Sequence, residues 1–285
     1  MSLPSKLFSV DDPEAYRTSE GVYDFLRADE QAANYVAHYQ RDALEFDYFT
    51  PAEDAATAHE SERLHQEILS HLPASAQTVL DVGCGSAWVA RELLPTKHAV
   101  ISFDIALRNT TEALRHYPTP NHYAVAGDVL DLPFRDGAVD AIVSSEVMEH
   151  VADVPQYLEN LIRVTKPGGT IVISTPYSEK IQYSLCIHCN RPTPLHAHLH
   201  SFNKQLVDSL LSPFPDISYR LVTFSNKALT YLRTHKVLQH LPYRLWRGVD
   251  EIANRVVNKP GRLVIVIKRS RASSPSGDVK LLRAM

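Results

Sequence analysis

Residues 81 to 88 combine an acid, two glycines and the start of an apolar run, which suits them to hold a ligand. Three β-forming residues lead into Asp81, Gly83 and Gly85 follow, and a helix-compatible run begins at Trp88. This order predicts a strand, a tight turn and a helix. Glycine has no Cβ, so a ligand can approach the turn closely. Open α/β sheets bind ligands where a strand ends and a helix begins. We therefore expect Asp81, Gly83, Cys84 and Gly85 to contact a ligand.

The residues around the turn favour a cationic ligand over a dinucleotide. A dinucleotide fingerprint needs a third glycine, and Trp88 occupies that position. Asp81 would repel a pyrophosphate, whereas it would attract a positive charge. At this turn the chain resembles the class I S-adenosylmethionine (SAM)-dependent methyltransferases, whose first motif has the form Asp-x-Gly-x-Gly. The resemblance implies SAM, which carries an ammonium, a sulfonium and no phosphate. An ordinary buried strand and turn is the alternative.

A second acid supports an adenosine ligand. The segment 98–105 predicts the next strand, and it ends near Asp104, 23 residues after Asp81. An acid at this place can accept hydrogen bonds from both ribose hydroxyls, in dinucleotide and SAM folds alike. We expect Asp104 and Ile105 to contact the cofactor. Asp104 could instead cap the helix predicted over 107–116.

The resemblance continues in order over residues 78–176. A third strand is predicted over 122–127, and the family's adenine-binding acid and its neighbour then correspond to Asp128 and Val129. A fourth strand is predicted over 139–145. Such an ordered series is specific where a single glycine motif is not.

The segment after the fourth strand is where the chemistry is expected. In similar proteins the residues at Glu146 to His150 face the methyl donor. Methyl transfer needs alignment, exclusion of water and removal of a proton from the acceptor. We name His150 and Glu146 as candidate catalytic residues, because the ordinary pKa of histidine suits a general base. His150 could instead have only a packing role.

A cysteine and histidine cluster lies beyond the matched region. Cys186 and Cys189 have metal-ligand spacing, and three alternating histidines follow at His196, His198 and His200. Thiolates and imidazoles favour zinc, which takes four ligands in structural sites. Two of the histidines could complete a site with the cysteines, and we take His196 and His198. In some similar methyltransferases a Cys-x-x-Cys insert is followed by a His just before Ser-Phe. An irregular substrate loop without metal is the alternative.

The alternation of strands and helices predicts an α/β fold. We expect a Rossmann-like, doubly wound, seven-stranded sheet, mostly parallel with an antiparallel last strand, plus an N-terminal helical segment. The predicted divisions are an N-terminal helical lid segment (1–75), a SAM-dependent methyltransferase domain (76–269) with a Cys/His loop (180–202) and a helical insertion (226–259), and a disordered tail (270–285).

Composition limits the partners. The net charge of −4 gives no case for nucleic-acid binding, and no apolar run is long enough to span a bilayer. Three cysteines among 285 residues indicate a reducing, cytoplasmic setting. The insertion is basic and amphipathic, so it could contact anionic lipid peripherally, hold an acidic substrate, or simply pack on its own domain. The oligomeric state is left open.

The expected function is therefore methyl transfer from SAM to a small-molecule acceptor, including a lipid- or sugar-linked one. The Asn/Asp-Pro-Pro-aromatic motif of many enzymes that methylate amide or base nitrogen is absent after the fourth strand, where Ser144, Ser145 and Glu146 stand. Two alternatives remain: a SAM-binding regulatory protein without catalysis, and an NAD(P)-dependent enzyme on a related sheet, which Trp88 and Asp81 disfavour.

Overall fold

The structure is a computed structural model, and it describes residues 3–26, 34–50 and 54–271. Most of the tail expected to be disordered, from residue 272 onward, lies outside these ranges. No helix within them has both the length and the apolar character that a bilayer crossing requires.

One large sheet forms the centre of the described structure. The strands are β1 (Tyr23–Asp24), β2 (Thr78–Val82), β3 (Ala99–Asp104), β4 (His122–Ala126), β5 (Val139–Ser145), β6 (Thr165–Pro176), β7 (Tyr183–Leu185), β8 (Pro192–Pro194), β9 (Ile217–Asn226) and β10 (Pro260–Arg269). The eight-stranded sheet has the order β1-β4-β3-β2-β5-β6-β10-β9, and β7 pairs with β8 separately. Strands β1 to β6 pair in parallel, and β10 is antiparallel to both of its neighbours.

Helices flank the sheet. They are α1 (Leu3–Leu7), α2 (Asn34–Glu45), α3 (Ala55–His71), α4 (Trp88–Leu93), α5 (Leu107–His116), α6 (Val154–Val164), α7 (Lys204–Leu211), α8 (Lys227–Tyr231), α9 (His235–Leu238) and α10 (Tyr243–Val256). Neighbouring residues of β2 point to opposite faces of the sheet. Leu80 joins one apolar cluster with Ile142, whereas Val79 joins a second with Val100. Both faces are therefore covered, as the predicted doubly wound fold requires.

The expected fold class is confirmed, but the number of strands was wrong. The sheet has eight strands, not seven, because Tyr23 and Asp24 of the N-terminal segment pair with Val125 and Ala126 at its edge. A strand of two residues has no periodicity that a sequence pattern could show.

Residues 226–259, predicted as a helical insertion, contain the three helices α8, α9 and α10. Arg247 of α10 fixes it to the rest of the chain through Glu67 of α3, with 3.1 Å between Nε and Oε2, and it also binds Asp250 at 3.1 Å. Both carboxylates are almost completely buried. Arg247 is thus held by internal acids and does not contribute to a basic surface.

A ring stack joins α3 to α4 behind the glycine turn. His65 lies face to face with Trp88, with ring centroids 3.8 Å apart and 8° between the ring planes. Burial, and then the charge of Arg91, lower the pKa of His65 to about 4. Trp88, at the position where a dinucleotide fingerprint has glycine, therefore serves to pack the helix that follows the turn.

We predict that His65→Phe makes the protein less sensitive to acid. The folded-state pKa of about 4 lies below the ordinary value of 6.5, so between these pH values the unfolded chain binds the proton more readily. The contribution of neutral His65 to the free energy of unfolding is therefore complete above pH 6.5, and it is lost as the pH falls toward 4. Phenylalanine keeps a ring on Trp88 and removes the titrating group.

Urea unfolding at pH 7.5 and pH 5.0 measures this effect. Between pH 7.5 and pH 5.0, the free energy of unfolding of the wild-type protein should fall by about 2 kcal/mol more than that of the variant. The exposed His98 provides a control, because His98→Gln should leave the difference unchanged. Equal losses in wild type and His65→Phe would contradict the assignment.

Candidate functional site

Parallel strands bring the predicted site residues to one edge of the sheet. Asp81 lies in β2, Asp104 ends β3, Asp128 follows β4 and Glu146 follows β5. Because these strands run in the same direction, their carboxyl ends meet at the same edge. Acids that are distant in sequence are therefore neighbours here, as the sequence indicated.

The glycine turn is held against β3 and against the loop after β5. The backbone N–H groups of Gly83 and Cys84 both donate to the carbonyl of Phe103, at 2.8 and 2.9 Å. Gly83 has a φ of +71°, which favours glycine, and an added Cβ would lie 2.3 Å from Cγ2 of Val147. The turn and the loop that carries Glu146 therefore pack directly on each other.

Asp81 is buried without a complete set of partners. Its side chain is 1% exposed, and within the described residues its Oδ2 atom accepts no hydrogen bond. Burial, and then the charge of Asp104, raise the pKa of Asp81 well above its usual range. A buried carboxylate of this kind is stabilised when a cation binds beside it. The turn thus has the electrostatics of a site for a positively charged group.

Asp104 is oriented by the backbone. One carboxylate oxygen accepts from the N–H of Gly85 at 3.0 Å and the other from the N–H of Ala106 at 2.8 Å. Each carboxylate oxygen can accept a further hydrogen bond, so a pair of hydroxyls could bind here. Burial raises the pKa of Asp104, opposed by these hydrogen bonds.

Helix α2 lies over this edge of the sheet. The hydroxyl of Tyr35 donates to Oδ2 of Asp128, and Gln40 donates to the carbonyl of Ile105 at 2.8 Å. Gln40 also accepts from the N–H of Leu107 at 3.3 Å. The residues predicted to bind the cofactor are therefore covered by the N-terminal segment. The lid role and the domain boundaries stay predictions.

Glu146 has a backbone conformation that is unusual for its type, with a φ of +56°. Its carboxylate accepts from the hydroxyl of Ser174 at 3.1 Å and lies 3.3 Å from Nε of Arg262. Burial raises the pKa of Glu146, against the opposing charge of Arg262. A strained, oriented acid at a ligand-binding edge is typical of functional sites.

A second cluster lies next to Glu146. One ligand atom from each of Glu149, His150 and His198 lies within 4.8 Å of the others. Glu149 is 1% exposed, and neither of its carboxylate oxygens has a hydrogen-bond partner in the described part of the chain. Burial, and then the charge of Glu146, raise the pKa of Glu149 well above its usual range.

His150, one of the two candidate catalytic residues, is neutral at neutral pH. Burial, and then the charge of His198, lower its pKa to about 4. Its ring makes edge-to-face contacts with His198 and with Tyr39 of α2, with centroid separations of 4.8 and 6.0 Å. Neutral imidazole can accept a proton, but a pKa of about 4 makes it a weak base.

The four predicted zinc ligands are not gathered at one point. Cys186 and Cys189 lie at the turn between β7 and β8, where hydrogen bonds from the backbone of Cys189 and then of His188 lower the pKa of the Cys186 thiol. His196 is exposed.

His198 is directed elsewhere, with its Nδ1 atom 2.5 Å from Oε2 of Glu179 and its ring against His150. The third histidine of the alternating set, His200, places Nε2 3.0 Å from the carbonyl of Val151. Among the described residues, only Glu149, His150 and His198 form a group that could hold an ion. The Cys/His zinc site therefore stays a prediction that this structure does not assemble.

Sequence reasoning did not assign a role to several residues of the site. Glu149 was visible between Glu146 and His150, but nothing in the local pattern showed that it is buried. Glu179 and Arg262 reach the site from a loop and from β10, and their contacts are too distant in sequence for any spacing to indicate them.

We predict that Gly83→Ala damages the site by collision with Val147. The new Cβ would lie 2.3 Å from Cγ2 of Val147, and alanine is also strained at a φ of +71°. We expect a lower melting temperature and loss of ligand binding at the turn, measured by calorimetry.

A second substitution separates the collision with Val147 from the backbone strain at position 83. Val147→Ala removes Cγ2, so the double variant Gly83→Ala/Val147→Ala should recover part of the stability, with the backbone strain remaining. The two effects should be strongly non-additive, since the residues are in contact. Additive losses would show that this packing contact does not matter.

Comparisons with known proteins agree with this geometry. Residues 80–173 match a methyltransferase domain family. A malonyl-[acyl-carrier protein] O-methyltransferase from Serratia marcescens is 32% identical over 154 residues, which is 53% of this chain and 58% of that protein. A ubiquinone biosynthesis O-methyltransferase from Rickettsia akari is 32% identical over 111 residues, 38% of this chain and 44% of that protein.

The fold is also similar to that of geranyl diphosphate C-methyltransferase from Streptomyces coelicolor, solved with Mg²⁺, geranyl diphosphate and S-adenosyl-L-homocysteine. The TM-score is 0.54 at 16% identity, and the match covers 84% of this chain and 99% of that one. The chain spans about half the length of the two curated relatives described above. The chain carries a methyltransferase domain over residues 80–173, and its motif order and sheet topology agree with the resemblance to the class I, SAM-dependent methyltransferases.

Proposed function

We propose that this chain transfers a methyl group from SAM to an oxygen atom of a small-molecule acceptor. The observation that carries the proposal is the buried Asp81 carboxylate, whose Oδ2 atom has no partner among the described residues, beside a glycine turn. The domain match over residues 80–173 supports the reaction class. The two O-methyltransferase relatives support oxygen as the attacked atom.

The residues at the edge of the sheet fit SAM. Asp81 would pair with its ammonium end, and the turn from Gly83 to Gly85 would let that end approach the backbone. Asp104 would accept the ribose hydroxyls with the lone pairs that Gly85 and Ala106 leave available. A phosphate-containing cofactor would instead bring negative charge close to Asp81, which is unfavourable in a buried position.

The adenine end would lie beside Asp128 and Val129. Asp128 is oriented by Tyr35 of α2 and by the N–H of Leu130, which lies 2.9 Å from Oδ1. The helix that covers this acid would also exclude water from the cofactor, because it contacts the loops after β3 and β4. We retain the description of residues 1–75 as a lid on this basis.

When bound, SAM supplies a methyl group on a sulfonium, whose departure as a neutral thioether needs no proton. The protein's task is to align the acceptor and remove its proton. Glu146 lies at the end of β5, held by Ser174 and Arg262, so it is positioned to orient a hydroxyl. His150 would accept the proton through the nitrogen that does not face Ala197. Its pKa of about 4 makes that transfer weak unless something else acidifies the acceptor.

Binding and transfer assays test the proposal. Calorimetric titration should detect SAM and its demethylated product, and no binding of NAD. Transfer of a labelled methyl group into a pool of small metabolites should then give a labelled product. Binding of NAD in place of SAM would indicate a nicotinamide enzyme. Binding of SAM without transfer to any acceptor would indicate a regulatory protein.

We predict that Asp104→Asn weakens SAM binding at least tenfold, about 1.4 kcal/mol, because the amide cannot accept the same hydrogen bonds. Asparagine keeps the size of the side chain but loses one of the two backbone N–H bonds, so the fold of the variant is checked by circular dichroism before binding is measured. The matched control is Asp136→Asn, since this carboxylate is 77% exposed and pairs with Arg163 far from the turn. Unchanged affinity in Asp104→Asn would remove the ribose assignment.

Two further expectations belong to this proposal. We infer a cytoplasmic setting, supported by the three free cysteines. We also retain a zinc ion on Cys186, Cys189, His196 and His198 as a hypothesis, supported by ligand types and spacing alone. It requires the loop to take a different path, because His198 now contacts Glu179.

A further inference from the structure

The structure assigns a divalent metal-ion site to Glu149, His150 and His198. His198 also belongs to the predicted cysteine site, so the two sites exclude each other. One ligand atom from each residue lies within 4.8 Å of the others, close enough to share an ion. Two imidazoles and a carboxylate are a common ligand set for first-row transition metals. The three residues lie beside Glu146, on the β5 side of β2, whereas the proposed adenine position after β4 lies on its other side.

The first independent observation is the state of Glu149. Its side chain is 1% exposed, and both carboxylate oxygens lack hydrogen-bond partners among the residues that the structure describes. An unpaired carboxylate in such a place costs free energy, and buried charges are normally paired or coordinate metals. Within the described ranges Glu149 forms no ion pair: Arg262, whose charge reaches it, pairs with Glu146 instead. A cation would supply the missing partner.

The second observation is the orientation of the two imidazoles. Nδ1 of His198 lies 2.5 Å from a carboxylate oxygen of Glu179, and Nδ1 of His150 lies 3.3 Å from the carbonyl of Ala197. Since both partners are acceptors, these contacts favour the tautomer in which each ring carries its proton on Nδ1 and keeps a lone pair on Nε2. Metal-binding histidines typically donate their other nitrogen to a carboxylate or a carbonyl in this way.

The fold positions the three residues before any ion arrives. Glu149 and His150 belong to the 3-10 turn Met148–His150 after β5. The loop that carries His198 is pinned to this turn, because the N–H groups of Leu199 and His200 donate to the backbone carbonyl of Glu149 at 2.7 and 3.3 Å. Ligands fixed by backbone contacts lose little entropy on binding, which favours affinity.

The ligand types select the ion. Mg²⁺ and Ca²⁺ prefer oxygen ligands, whereas imidazole suits Fe²⁺, Ni²⁺, Cu²⁺ and Zn²⁺, and Mn²⁺ binds such mixed sites most weakly of the first-row series. Three protein ligands leave coordination positions open, which is the arrangement of catalytic rather than structural metal sites. The site would therefore take a first-row divalent ion together with water or an oxygen of another molecule.

The role of the ion rests on the proposed methyl transfer. An ion beside Glu146 would bind an acceptor through its oxygen atoms and lower the pKa of a bound hydroxyl. The acceptor would then be a compound with at least one oxygen able to ligate a metal, such as a phenol, an α-hydroxy acid or a diol. With the ion bound, His150 would be a ligand in place of the proton acceptor named above, and the acidified hydroxyl would release its proton to water.

Titration of metal-depleted full-length protein with Mn²⁺ alone tests the site. The electron paramagnetic resonance signal of free Mn²⁺ should fall until about one ion is bound per chain. Co²⁺ should give visible absorption of a nitrogen- and oxygen-ligated ion. Glu149→Gln and His198→Ala should each weaken Mn²⁺ binding at least tenfold, with folding checked by circular dichroism.

Two control variants separate this site from the cysteine site. His196→Ala removes an exposed ring 5.8 Å from that of His198, and Cys186→Ser/Cys189→Ser removes both thiols. Neither should change Mn²⁺ affinity. Absence of binding, unchanged affinity in both Glu149→Gln and His198→Ala, or loss of binding in the cysteine variant would each overturn the assignment.

The metal site and the proposed methyl transfer can be tested separately. SAM titration of the metal-depleted protein uses Asp81 and Asp104, which are not metal ligands, so its affinity should persist. SAM binding without Mn²⁺ binding would overturn the metal site alone. Mn²⁺ binding without SAM binding would overturn the methyltransferase proposal and leave the metal site standing.

Discussion

Two buried carboxylates, Asp81 and Glu149, have oxygen atoms without a hydrogen-bond partner among the described residues, and they impose the main electrostatic constraint on this structure. A carboxylate without a partner is costly away from water, so each position favours a ligand that brings positive charge. Asp81 lies in β2, and Glu149 lies in the turn after β5, the strand that pairs with β2. The proposed cofactor and the proposed ion would each neutralise one of them, at adjacent places on one edge of the sheet.

The glycine turn after β2 and the loop after β5 are in direct contact. Val147 packs on Gly83, so the loop that carries Glu146 and His150 cannot move without disturbing the glycine turn. Helix α2 lies over this edge of the sheet, with Tyr35 on Asp128 and Tyr39 against His150. Cofactor binding and acceptor positioning would therefore depend on the same contacts, in agreement with a site that closes around both reactants.

Much of the cofactor side could be predicted from the sequence. Alternating strands and helices fix a parallel sheet, and a parallel sheet gathers the residues at its strand ends, so Asp81, Asp104, Asp128 and Glu146 could be placed together. Trp88 was recognised as departing from the dinucleotide pattern. The stacking of His65 on Trp88 could not be predicted, because this contact joins two helices that precede and follow β2 in the sequence.

The acceptor side could not be predicted, because long-range contacts decide it. The alternation of His196, His198 and His200 shows three candidate ligands but not the path of the loop. Backbone bonds to Glu149 turn His198 toward His150. The two-residue strand at Tyr23 was missed for a related reason, since only its pairing with β4 defines it.

A crystal structure of the chain with S-adenosyl-L-homocysteine bound tests the central claim most directly. We expect the amino group of the ligand to lie within hydrogen-bond distance of Asp81, and its ribose hydroxyls to contact Asp104. A ligand bound elsewhere, or a turn at Gly83 that holds a phosphate-bridged cofactor, would contradict the proposal that Asp81 awaits a positive charge.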